Sequence, residues 1–176
     1  IIILLGFFLI FLLTFFKPYL SNRIFVFLNP SLDFQGIGYQ LNQSLIAVGS
    51  GGIFGKGFGM SVQKFNFLPE PTSDSIFSVF AEEFGLAGAV ILITLFFLFF
   101  LRGLFIASRA PDSFGGLLAA GFVILIIIEA FVNIAALIGI IPLTGVPLVF
   151  ISQGGTALVM TLAEAGIILN VSRYLS

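Results

Sequence analysis

Charged side chains are scarce in this chain, which is 59% hydrophobic and only 9% charged, and they are not scattered evenly. Four of its eight carboxylates, Glu70, Asp74, Glu82 and Glu83, fall within residues 49–88, together with Lys56 and Lys64. The stretch opens with six glycines in eleven residues, then carries the rigid turn Leu68-Pro69-Glu70-Pro71 before Thr72, Ser73 and Asp74. These residue types support two kinds of chemistry. A carboxylate at a low-dielectric boundary can take a proton from a hydroxyl or hold a cation. Lysines beside glycine-rich backbone can balance phosphate charge, because glycine amides approach an anion closely. The chain has no His and no Cys, which excludes thiol nucleophiles, imidazole or thiolate metal sites, disulfides and Ser-His-Asp triads. Acid–base work therefore falls to Asp, Glu, Lys or Tyr.

Neither standard phosphate loop is present. A P-loop would need Gly where Ser50 stands and Ser or Thr where Gly57 follows Lys56, and a dinucleotide fingerprint from Gly49 would need Gly in place of Phe54. The glycine run is equally explained by tight turns packed against helices. Asp74, directly before a long apolar run, has the ordinary alternative of capping that helix. Glu82 and Glu83 lie about two turns further on, where a charge needs a partner such as Lys64 or a polar cavity. Glu129 and Asn133, four apart, share one face of a helix, and Glu164 sits in another apolar run; interhelical hydrogen bonding is their simplest role.

The elements that must position these groups are membrane spans. A soluble domain would carry about a quarter charged residues, whereas this chain of 176 residues has mean hydropathy +1.22 and 24 Phe. Its net charge of −1 gives no reason to expect nucleic acid as a partner. Apolar runs predict four helices at about 1–16, 75–101, 116–141 and 156–171. Residues 17–74 form the large loop between the first two, with a short interfacial helix near 42–48. Arg102 closes the second span. Residues 142–155, with two Pro and three Gly, make a loop or re-entrant hairpin packed within protein. The first residues lack a basic n-region and a cleavage site, so they read as a span already under way. The chain is expected to be the C-terminal part of a longer protein. Lys and Arg density favours the short 103–115 link on the cytoplasmic side and the large loop outside.

The run GSGGIFGKGFGMSVQKFNFLPEPTSDSIFSVFAEEFGLAG resembles the large extracytoplasmic loop of the SEDS family, that of FtsW, RodA and SpoVE. RIFVFLNPSLDFQGIGYQLNQSLIAVGSGG upstream and EAFVNIAALIGIIPLTGVPLVFISQGGTAL downstream are similar to the same family, so the resemblance covers nearly the whole chain. Ser61-Val62-Gln63-Lys64 is closer to the FtsW and SpoVE branch than to RodA. The resemblance implies an all-α integral membrane protein of the bacterial cytoplasmic (inner) membrane, with this chain holding the last four of ten helices. It implies a peptidoglycan glycosyltransferase that polymerises lipid II, an undecaprenyl-pyrophosphate-linked glycan precursor, during division or cell-shape maintenance. The implied partners are a class B penicillin-binding transpeptidase and other division or elongation proteins.

The family's essential Asp aligns with Asp74, which turns the balance there from cap to catalysis. On that basis Asp74 acts as general base, or positions the acceptor with a divalent cation, Mg or Mn. Lys56, Lys64, Gln63, Glu70 and Ser73 are taken as substrate-binding, and Glu82, Glu83, Glu129, Asn133 and Glu164 as structural or path-lining polar groups. The chain departs from the family in having Thr72-Ser73 where His-Thr is frequent, Glu129 where Gln is common and Gln153 where Tyr is common. Two other functions fit the same resemblance: a flippase whose path is lined by Glu129, Asn133 and Glu164, and a non-catalytic scaffold for the transpeptidase. The segment alone is expected to be inactive, because its intramembrane carboxylates would lack covering helices.

Overall fold

A computed structural model describes residues 18–28 and 36–174. The first expected span, residues 1–16, and Asp33 lie outside the described residues. Among those described there are only helices: α1 (Pro18–Leu28), α2 (Ile37–Ser50), α3 (Gln63–Asn66), α4 (Ile76–Ser108), α5 (Ser113–Leu137) and α6 (Gly155–Ser172). Three of them, α4, α5 and α6, are long and apolar enough to cross a membrane. At 1.5 Å per residue the 25 residues of α5 reach about 37 Å, against roughly 30 Å of hydrocarbon.

The span boundaries move for identifiable reasons. Arg102 does not end α4, which continues to Ser108; its guanidinium lies over the Phe105 ring at 5.1 Å, with Arg109 over the same ring at 4.3 Å. A single Arg on a helix-favouring background snorkels rather than breaks the helix. Asp112 then caps α5, accepting from the Gly115 amide at 2.7 Å, which starts that helix earlier than the apolar run suggests. Its end comes sooner as well. Gly139 takes φ +74°, its amide reaches the Ala136 carbonyl and the Ile140 amide reaches that of Ala135. These are the paired bonds of a Schellman stop. The segment expected as one large loop also contains structure of its own: Pro18–Leu28 is helical, and α2 is twice the length of the short helix expected there.

The core lies where α4 and α5 pack along their length, with Phe96, Ile106, Val123, Ile126 and Ala130 buried between them. Gly103 permits the close approach, since a side chain there would run into Val123. Helix α2 lies against the start of α4, and α6 closes on α5 and α4. The link from α5 to α6 is irregular and buries Leu143, Leu148, Val149 and Ser152. It is therefore packed within protein, as its Pro and Gly content suggests.

Helix α4 is two rods rather than one. At Gly85 the backbone adopts φ 68°, ψ −167°, a conformation open essentially to glycine alone. Such a break strands carbonyls on one side and amides on the other. Residues 51–57 satisfy them in both directions. The Lys56 and Gly57 amides donate to the Glu82 and Glu83 carbonyls, and the Leu86 and Ala87 amides donate to the Gly52 and Ile53 carbonyls, all at 2.9–3.0 Å. The backbones come so close that a Cβ on Gly85 would lie 2.3 Å from the Gly55 amide nitrogen.

Candidate active site

Three polar assemblies emerge from the residues singled out above. The first is built on the kink. Glu82 is fully buried and its carboxylate accepts from Lys56 Nζ at 2.6 Å, Ser61 Oγ at 2.5 Å, and the Val62 and Gln63 amides at 3.3 Å each. Ser50 Oγ adds a longer bond at 3.4 Å. Beside it, Lys64 Nζ pairs with Glu83 at 2.7 Å. A buried carboxylate is tolerable only when paired and hydrogen-bonded in this way. The arrangement clamps residues 50–64 onto the start of α4. Both lysines are thus ion-paired, and the glycine-run amides at residues 56 and 57 are engaged by the kink carbonyls. The glycine run is a set of turns packed on a helix, the plainer of its two sequence readings.

The second assembly surrounds Asp74. Ser75, not Asp74, occupies the N-cap of α4; its hydroxyl donates to the Pro69 carbonyl and receives a bond from Gln40 of α2. Asp74 is held by its backbone from two directions. Asn133, on α5, donates from Nδ2 to the carbonyls of both Asp74 (2.8 Å) and Val146 (2.7 Å). Ser152 Oγ donates to the Ser73 carbonyl at 2.7 Å, and the Gln153 amide to the Thr72 carbonyl at 2.9 Å. The α5–α6 link is thereby stitched to the turn that carries the carboxylate. Glu70 supports that turn from below: it takes φ +47°, and its carbonyl accepts from the Ser73 and Ser75 amides while its side chain stays exposed.

Within this frame Ser73 Oγ donates to Asp74 Oδ1 at 3.0 Å, and Oδ2 faces Gly145. A cavity of about 60 Å³ opens there, lined by Arg23, Gln40, Asp74, Asn133, Thr144 and Gly145 among others. Water takes roughly 30 Å³ in the liquid, so the space suits one or two waters or a hydroxyl group. Asn133, almost fully buried, lines this cavity, and its Oδ1 has no hydrogen-bond partner among the described residues. An orphaned buried acceptor at a polar cavity calls for a donor from a ligand or water. Arg23 was not among the residues the sequence singled out. Nothing in its spacing links it to Asp74; only the fold of α1 against the α5–α6 link does.

The third assembly is a cavity of about 140 Å³ between α5, α6 and the link. Glu129 and Glu164 line it together with Ser152 and Thr161. Glu129 and Asn133 therefore share a helix face but serve different cavities. Among the described residues no group of three or more His, Cys, Asp or Glu side chains could hold a metal ion.

Comparison with known proteins gives this geometry a context. A family model for FtsW, RodA and SpoVE, described as cell cycle protein, matches residues 1–176. Stage V sporulation protein E of Bacillus subtilis is 46% identical over 157 residues, covering 89% of this chain and 43% of that protein. Peptidoglycan glycosyltransferase MrdB of Escherichia coli is 43% identical over 157 residues, covering 89% and 42%. The probable peptidoglycan glycosyltransferase FtsW of Geobacter metallireducens is 46% identical over 154 residues, covering 88% and 41%. The chain thus spans less than half the length of the curated relatives it matches. A solved chain, from work on structural coordination of polymerization and crosslinking by a peptidoglycan synthase complex, superposes with a TM-score of 0.70 at 29% identity. That match covers 97% of this chain and 48% of that one.

Proposed function

The chain belongs to the FtsW, RodA and SpoVE family of cell cycle proteins, and from that premise we propose that it works as part of a peptidoglycan glycosyltransferase with Asp74 as general base. The observation that carries the assignment is the cavity at Asp74. The turn that carries the carboxylate is fastened at the carbonyls of Thr72, Ser73 and Asp74 by Gln153, Ser152 and Asn133, while the carboxylate keeps one oxygen on Ser73 and turns the other toward a polar space of hydroxyl size. A helix cap needs none of this, and the cap position belongs to Ser75.

The chemistry follows from the groups present. The substrate is lipid II. A sugar hydroxyl of the acceptor enters the cavity, and Asp74 Oδ2 takes its proton as the oxygen attacks the anomeric carbon of the donor. The new glycosidic bond forms while the bond to undecaprenyl pyrophosphate breaks, and that diphosphate leaves with the electron pair. General-base assistance of this kind contributes about 10²–10⁴-fold. A divalent cation, Mg or Mn, does not fit the protein groups alone. Among the described residues Asp74 is the one carboxylate lining the cavity, and the Arg23 guanidinium faces the same space, so no step is routed through a metal. Lys56 and Lys64 act on the loop by clamping it, not on the diphosphate.

The protein is a multi-pass membrane protein by its three long apolar helices and its family. We place it in the bacterial cytoplasmic membrane, with residues 1–16 as a further span and the Asp74 turn on the extracytoplasmic side. A class B transpeptidase is the proposed partner, in keeping with the polymerisation and crosslinking complex in which the structural neighbour was solved. The test is Asp74→Asn in the whole gene product, assayed on defined lipid II. Asn preserves size and capping ability, so protein level should hold while turnover falls about 10²–10⁴-fold. Near-normal glycan synthesis by that variant would leave Asp74 a structural residue.

A further inference from the structure

We propose that Arg23 is a positioning residue for the reaction at Asp74, an inference that rests on the general-base reading above. Arg23 sits on α1, fifty-one positions before Asp74 and in no motif with it. The fold brings it across to the α5–α6 link, where Nη1 donates to the Leu143 carbonyl. Its other terminal nitrogen looks into the cavity. A methyl group built on Gly145 would stand 3.5 Å from Asp74 Oδ2 and 3.6 Å from Arg23 Nη2, so the carboxylate and the guanidinium border the same point.

The chemistry of that juxtaposition is directional. Asp74 Oδ1 is tied to Ser73, so Oδ2 is the oxygen left to accept a proton, and the nearest fixed positive charge on the cavity wall is Arg23. The guanidinium and the carboxylate form no direct ion pair but border the same small space, where the fork presents a fixed positive charge of defined orientation toward Oδ2, which a flexible point charge would not. The bond to Leu143 fixes the fork itself and keeps the Leu143–Gly145 backbone, the outer wall of the cavity, at its distance from Asp74. Arg23 thus acts on the substrate through Asp74. It sets where Oδ2 points when the acceptor hydroxyl arrives. Misplacement of a reacting group by about 1 Å is enough to lose on the order of 10² in rate.

The experiment compares Arg23→Ala, Arg23→Lys and Asp74→Asn in the whole gene product, with lipid II turnover, KM and membrane level all measured. Arg23→Ala is expected to lower kcat about 10²-fold with KM within a few-fold of the original. Arg23→Lys should recover little, since Lys keeps the charge but not the fork. Millimolar methylguanidinium should then restore turnover to Arg23→Ala by about tenfold or more while leaving Asp74→Asn dead, a response that lost packing alone cannot give. Turnover near normal in Arg23→Ala, or a loss that methylguanidinium does not relieve, overturns the proposal. If Asp74→Asn itself turns over normally, the failure belongs to the general-base reading instead.

Discussion

Replacing Glu82 by Gln tests whether the kink in α4 is held by charge. The carboxylate has no exposed surface and four principal donors aimed at it: Lys56 Nζ, Ser61 Oγ and the amides of Val62 and Gln63. Gln fills the same volume but exchanges one oxygen for a donor. Its best orientation turns the new NH₂ toward Ser61, whose hydroxyl can rotate to accept, and leaves the Gln63 amide without an acceptor. The Lys56 bond survives as one to a neutral oxygen. Bonds to charged groups contribute about 1.5–3 kcal/mol against 0.5–1.5 for neutral ones, and an orphaned buried amide costs about 1–3 kcal/mol. The sum is roughly 3 kcal/mol, all of it local to residues 50–64, which corresponds to an opening equilibrium on the order of 10²-fold more favourable. Hydrogen exchange in detergent micelles reads this directly at the amides of Lys56, Gly57, Val62 and Gln63. Protection in Glu82→Gln within about threefold of the unmodified protein would refute the reasoning and leave the backbone bonds across the kink as the sole fastening.

Two further outcomes are expected. Gly145→Ala should fold, because the added methyl meets its neighbours at 3.5 Å or more, at a strain cost of about 1–2 kcal/mol for its φ of +73°. The methyl would occupy the space between Asp74 and Arg23, so lipid II turnover should fall at least about tenfold with membrane level retained; normal turnover would mean the acceptor does not enter there. For orientation, single cysteines in a chain that has none of its own should report the two faces. A membrane-impermeant thiol reagent on intact cells should label position 66 and not position 108, and the reverse pattern inverts the topology.

The three spans within the described residues were legible because long apolar runs admit one reading, whereas their ends depend on single contacts. The Schellman stop at Gly139 and the cap at Asp112 decide boundaries that hydropathy cannot see, and Arg102 looks like a terminus until Phe105 is found beneath it. Asp74, Glu82 and Glu83 stood out as carboxylates in an apolar chain. Their division of labour did not, since Glu82 and Lys56 are twenty-six residues apart and pair only because Gly85 breaks the helix. Gly85 reads as one glycine among twenty. Arg23 was invisible for the same reason on a larger scale: its partner Leu143 is a backbone carbonyl 120 residues away, and a carbonyl has no sequence signature.

The kink joins the two assemblies mechanically. Residues 76–84 form a short rod of about 13 Å between the Asp74 turn at one end and the Glu82–Glu83 clamp at the other. The turn is fastened to α5 and the α5–α6 link; the clamp is fastened to the loop that stitches the break at Gly85. A rod fixed at both ends cannot tilt, and a rod released at one end can. Loosening the clamp in Glu82→Gln should therefore move Asp74 relative to Arg23 and Gly145, although Glu82 lines neither cavity. The variant should lose turnover in step with its loss of amide protection, by up to the roughly 10²-fold that an ångström of misplacement can cost, with KM changed far less. If protection is lost while turnover stays normal, the turn holds Asp74 without help from the rod, and clamp and cavity are independent structures.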